Sequence, residues 1–233
     1  MRTRQQRLVF CVSGFLSCCS ALTASVATGL PLWVSGAALC RTGAELVNAT
    51  GTELQQFMGR ISYGLFTGER VKQCGLGGRT ARFYLFSELL SALPAGLHVT
   101  VLFFCGAVIL FSAVASGFFF YNALGRPYEL LHGPMGLYLW TSVSCVSSLL
   151  VMVLFAAEVK LYHLSARISN YNESTYVFTT HSESYDRCYW LFLLVFMLHA
   201  ISAALVRLAG IQLPFNNNNK GVELNIGAAD LMY

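Results

Sequence analysis

Polar and apolar positions along this chain segregate on a long scale. Charged residues are absent from four stretches, 8–40, 89–125, 130–157 and 188–206. Each holds an apolar run of about 20 residues, the length at which a helix crosses a bilayer. In hydrocarbon every backbone N–H and C=O must find its partner within the chain, so such runs form helices. The pattern predicts spans over 8–30, 95–119, 134–157 and 189–208, and hence an all-α four-helix membrane bundle. Residues 1–7, 120–133 and 209–233 then share one side, and loops 31–94 and 158–188 the other.

The first of those loops is too long for a connector, and its short-range pattern changes to that of strands. Ile61 to Phe66 and Arg70 to Cys74, joined through Thr67-Gly68-Glu69, predict a β-hairpin. Residues 81–86 offer a further strand, and the β-branched and aromatic residues of 175–180 one from the second loop. A small antiparallel β-sheet built from both loops is expected above the bundle.

Composition agrees. Of 233 residues, 55% are hydrophobic and 11% charged, with a mean hydropathy of +0.57. Soluble domains carry roughly 25% charge, so a soluble globular enzyme is excluded. The formal net charge of +4 does not mark a nucleic-acid surface, which needs Lys and Arg clustered on one exposed face. Here the basic residues flank the apolar runs.

Long loops translocate largely regardless of their charge. With loop 31–94 discounted, the cluster Arg2, Arg4 and Arg7 predicts cytoplasmic termini for a multi-pass membrane protein. The two Asn-x-Ser/Thr triplets, at Asn48 and Asn172, both fall in the loops this orientation places outside, where they are expected to be glycosylated. The first apolar run exceeds the roughly 7–15 residues of a signal-peptide core, which favours a retained span.

Eight cysteines divide by compartment. Cys18, Cys19, Cys105 and Cys145 are expected to pack inside the bundle as small apolar groups, and Cys11 lies near the cytoplasmic face. Cys40 and Cys74 lie in the oxidising outer loop and are the expected disulfide, with Cys188 the alternative partner.

No catalytic constellation emerges. The histidines, His98, His132, His163, His181 and His199, lack the helical spacing of a metal pair, and no cofactor is expected. Among ionisable groups at membrane depth, Glu158 falls at the outer end of span three and Arg207 near the inner surface; His199 alone is central. It is read as a neutral imidazole hydrogen-bonded to another helix. Ser17, Ala21 and Ser25, Ala113 and Gly117, and Ser144 and Ser148 are small residues one turn apart. They are read as packing faces within the bundle, with homo-oligomerisation the alternative. The tail ends Leu231-Met232-Tyr233, and apolar residues at its last and third-last positions suit a PDZ groove.

Together these features resemble the claudin-like tetraspan superfamily. Pro31-Leu32-Trp33 is similar to its Pro-x-Trp, and Gly64-Leu65-Phe66 to its Gly-Leu-Trp. A resemblance to the clarin family covers nearly the whole chain. It is carried by Leu39-Cys40-Arg41-Thr42-Gly43, Leu46-Val47-Asn48-Ala49-Thr50, Gln73-Cys74-Gly75-Leu76-Gly77 and Leu131-His132-Gly133-Pro134-Met135-Gly136-Leu137-Tyr138-Leu139. Glu158-Val159-Lys160 and the ending Ala228-Ala229-Asp230-Leu231-Met232-Tyr233 extend it. Phe66 replaces the claudin Trp, and the triplet lies between the two cysteines instead of before them, which weakens transfer of a tight-junction pore function. The resemblance implies a claudin-like fold and a non-enzymatic plasma-membrane organiser of sensory cells. Such a protein would serve hair-bundle and ribbon-synapse organisation and photoreceptor maintenance, with links to actin. Its partners would be membrane lipids, neighbouring membrane proteins and a PDZ scaffold. A paracellular adhesion protein and a channel regulatory subunit are the other classes considered.

Overall fold

The computed structural model describes residues 4–88, 95–125 and 134–208. Four helices long and apolar enough to cross a membrane form a bundle: α1 (Arg4–Gly29), α4 (Ala95–Leu124), α5 (Pro134–Leu161) and α7 (Arg187–Leu208). They close a ring in which α1 packs on α4 and α7, and α5 on the same two. On α1 the buried residues Phe10, Ser13, Gly14, Ser17, Ser20, Ala24 and Ala27 recur every three or four positions, the stripe one helix face presents to its neighbours. Small side chains dominate it, so backbones come close: the Ser116 hydroxyl donates to the Gly14 carbonyl at 3.0 Å.

At one end of the ring sits a five-stranded antiparallel sheet of order β4-β3-β2-β1-β5. Its strands are β1 (Val34–Cys40), β2 (Met58–Tyr63), β3 (Thr67–Gln73), β4 (Gly78–Tyr84) and β5 (Phe178–Tyr185). Four come from the segment between α1 and α4 and β5 from that between α5 and α7, so both connections share one sheet. Short helices α2 (Arg41–Leu46), α3 (Leu85–Glu88) and α6 (Leu164–Asn170) complete it.

Four details differ from the expectations. The strand expected over 81–86 runs Gly78–Tyr84, and residues 85 and 86 open α3. The hairpin turn is Gly64-Leu65-Phe66, where the Gly64 N–H donates to the Thr67 carbonyl, and Thr67-Gly68-Glu69 belongs to β3. Strand β5 begins at Phe178 instead of residue 175, because its partner β1 ends at Cys40, which pairs with Phe178; the Asn170 amide brackets the Phe178 backbone, accepting from the N–H at 2.8 Å and donating to the carbonyl at 2.7 Å. Strand β1 has no counterpart among the expected strands, yet it joins the two loops.

One core runs through sheet and bundle. Ile61, Tyr63, Leu65, Phe83 and Leu85 share a buried cluster with Trp33, Val101, Phe155, Phe192 and Val195. A second cluster, around Phe10, Phe119 and Leu137, fills the far end. A third, Ala38, Cys40, Ala44, Phe57 and Phe178, lies under α2.

Candidate functional site

The sheet lobe is where exposed polar chemistry gathers, and its geometry follows from three attachments. The first is the turn out of α1. Trp33 is fully buried, its rings 4.8 Å from Phe155 and 5.1 Å from Phe192, and its indole N–H donates to the Ala27 carbonyl at 2.7 Å. Its backbone N–H donates to Tyr63, and its carbonyl accepts from Asp186. Gly64 packs directly against this turn: a Cβ there would fall 2.4 Å from the Leu30 carbonyl oxygen. Pro31-Leu32-Trp33 and Gly64-Leu65-Phe66, 30 residues apart in sequence, thus meet as one joint.

The second attachment is polar and buried. His98 of α4 sits 2.8 Å through Nδ1 from Glu158 Oε1 of α5, and 2.9 Å through Nε2 from the Leu65 carbonyl. A carbonyl only accepts, so Nε2 carries a proton. A hydrogen bond between Nδ1 and the carboxyl then needs one further proton, and the pair is neutral overall whichever partner holds it. A neutral pair suits side chains 1% and 0% exposed. His98 was not singled out in the sequence; the available signal was a histidine and a glutamate at the same end of two apolar runs.

The third attachment clamps α6 beneath the sheet. The Arg70 guanidinium donates to the Ile168 and Tyr171 carbonyls at 2.7 and 3.0 Å, at the C-terminal end of α6, where a cation also meets the negative pole of the helix. Lys72 pairs with Glu173 at 2.6 Å. Tyr63 Oη lies 3.0 Å from Ser165 Oγ. Burial pushes the Tyr63 phenol above its ordinary range, so it remains protonated.

The expected disulfide cysteines and acceptor asparagines fall on this lobe. Cys40 and Cys74 form a disulfide that bridges the end of β1 and the end of β3, while Cys188 is a buried free thiol in α7. Asn48 and Asn172 are both exposed, and both adopt left-handed backbone, φ 48° and 54°. At Asn48 the conformation closes α2: its N–H donates to Glu45 and that of Ala49 to Ala44, the paired bonds of a Schellman motif with Asn in the position usually held by Gly. A cleft of about 200 Å³ lined by Lys72, Arg79, Glu173, Tyr176 and Phe178 lies near Asn172.

Elsewhere the picture is mixed. His199 accepts or donates one hydrogen bond across the bundle, to Ser112 at 2.7 Å, as read from the sequence. Ser17, Ser144 and Ser148 are buried, but Ser25, Ala113 and Gly117 face outward, so span two packs in the bundle through Ser112, Ala115 and Ser116 and not through the Ala113/Gly117 face. Cys18 and Cys19 are exposed on α1 instead of packed, whereas Cys105 is buried. Leu231, Met232 and Tyr233 lie outside the described residues. Among the described residues no group of three His, Cys, Asp or Glu is placed to hold a metal.

A family model described as Clarin-2-like matches residues 5–206. Human clarin-1 is 48% identical over 233 residues, covering 100% of both chains. The chain belongs to the clarin family. Mouse clarin-2 is 38% identical over 95% of each chain, and human clarin-3 is 29% identical over 88% of each. This clarin is thus a multi-pass membrane protein whose four candidate spans carry a small antiparallel sheet, with the disulfide Cys40–Cys74 bracing it.

Proposed function

We propose that this clarin is a non-enzymatic organiser of the plasma membrane, with both termini cytoplasmic and the sheet lobe outside. The observation that carries the reading is the lobe itself: it is disulfide-braced, fixed to the bundle by a buried pair, and exposes both glycan acceptors. A rigid, glycosylated lobe of this kind is suited to contacts with extracellular or neighbouring membrane proteins. The tail, through Leu231, Met232 and Tyr233, recruits a PDZ scaffold linked to actin. In this reading the protein acts in the hair bundle, the ribbon synapse and the photoreceptor, and its membership of the clarin family is what supports looking there.

Two experiments test it. Thr50→Ala removes the acceptor triplet at Asn48 while keeping Asn48 in its left-handed cap, so it separates glycosylation from folding. Loss of a glycosidase-sensitive mobility step in Thr50→Ala, with an N-terminal tag inaccessible on intact cells, supports the orientation; a surface-accessible tag overturns it. Deletion of Tyr233 should abolish capture by PDZ proteins, and unchanged capture overturns the scaffold role. The outward small face of α4, Ala113 and Gly117, favours lateral self-assembly as a second reading, for which freeze-fracture strands between transfected cells are the diagnostic result.

A further inference from the structure

Beside Asn48 the lobe carries a groove of about 530 Å³ lined by Leu39, Arg41, Ala44, Glu45, Ala49, Thr50, Leu54 and Thr179, with Asn48 itself on its wall. That is within the range of roughly 300–1,000 Å³ typical of small-molecule sites. We propose that this groove receives the first N-acetylhexosamine of a glycan attached to Asn48, and that the docked sugar covers the small core behind the disulfide. The inference rests on the glycosylation reading of Asn48 given above.

The occupant follows from the wall. A sugar bonded to Asn48 is delivered at the high effective concentration of an intramolecular ligand, so even a shallow groove fills. The lining suits an acetamido sugar: Leu39, Ala49 and Leu54 are half-buried apolar surface for the acetyl methyl and the pyranose face. The Thr50 and Thr179 hydroxyls and the Arg41–Glu45 ion pair, 2.6 Å apart, offer donors and acceptors at the rim. Leu39, Ala49 and Leu54 also pack against Ala38, Cys40, Ala44, Phe57 and Phe178. Among the described residues those five form the smallest of the three buried clusters. The Schellman turn holds Asn48 at φ 48°, which fixes the root of the sugar relative to the groove.

The test uses the full chain from mammalian cells in lipid nanodiscs, carrying Ser174→Ala so that Asn48 is the single acceptor. The folded protein is then trimmed in two ways. An endoglycosidase leaves one N-acetylglucosamine; an amidase removes everything and turns Asn48 into Asp, which also tolerates left-handed backbone. The one-sugar form should melt with the untrimmed form, and the sugar-free form roughly 2–4 °C lower, with faster amide exchange over 41–57. Leu54→Ser should erase the difference between the two trimmed forms. Equal melting of all three forms, or a difference that survives Leu54→Ser, overturns the proposal. If the chain bears no sugar at Asn48, no mobility shift accompanies trimming; that result sinks the glycosylation reading itself, and the groove occupant with it.

Discussion

At the scale of single residues, the molecule depends on a few atoms that have nowhere else to go. The His98–Glu158 pair makes this concrete. Glu158→Gln keeps the geometry: a neutral imidazole donates through Nε2 to Leu65 and accepts the glutamine N–H through Nδ1. Its cost should be about 1 kcal/mol or less. Glu158→Ala leaves Nδ1 of a buried histidine unsatisfied and should cost about 1–3 kcal/mol. Thermal unfolding in detergent separates the two, and equal losses would show that the carboxyl group itself, which both variants lack, and not the hydrogen bond that Gln retains, holds the turn. Gly36 is a second such position. A Cβ there would fall 2.3 Å from the Ser182 carbonyl oxygen of β5, a backbone atom that cannot rotate away. Gly36→Ala should therefore cost about 1–3 kcal/mol and raise exchange along β1 and β5, with β3 and β4 unaffected.

At the scale of elements, the four spans were legible because a bilayer demands long apolar runs, and the sheet's existence because β2, β3 and β4 carry aromatic and β-branched residues between turn signals. Strand β1 was not legible, and Gly36 explains why. Val34-Ser35-Gly36-Ala37-Ala38 lies between β2 and β5, with an extra residue of β5, His181, opposite Ala37/Ala38, so close backbone approach selects small residues over the usual strand composition. Helix α6 was missed for a related reason: Arg70 and Lys72, nearly a hundred residues earlier, satisfy the C-terminal end of a seven-residue helix that local propensity alone would not sustain. Of the candidate site, the disulfide and acceptor triplets were readable from residue types and spacing, whereas the groove and the buried pair arise only from folding. The clamp is testable: Arg70→Ala removes two charge-assisted bonds worth about 1.5–3 kcal/mol each, so residues 164–173 should lose exchange protection while the spans keep theirs.

At the scale of the whole molecule, the division of the core decides what opens with what. Strand β2 and the buried end of β4 share one cluster with Trp33, Phe155 and Val195, so they cannot separate from the bundle without exposing large apolar side chains to water. Around the disulfide the core is smaller and belongs to the lobe alone. The bridge closes a loop between residues 34 positions apart, which by loop-closure entropy contributes about 3–4 kcal/mol. Reduction, or the double change Cys40→Ser with Cys74→Ser, should therefore open the lobe in two zones. Residues 41–57 should exchange at nearly the unfolded rate, while 58–65 and the spans remain protected, because Ile61, Tyr63 and Leu65 are held by the bundle. Hydrogen exchange read by mass spectrometry distinguishes this from the alternative in which sheet and disulfide form one cooperative unit. In that case 58–65 would lose protection together with 41–57, and the lobe would behave as a single rigid cap.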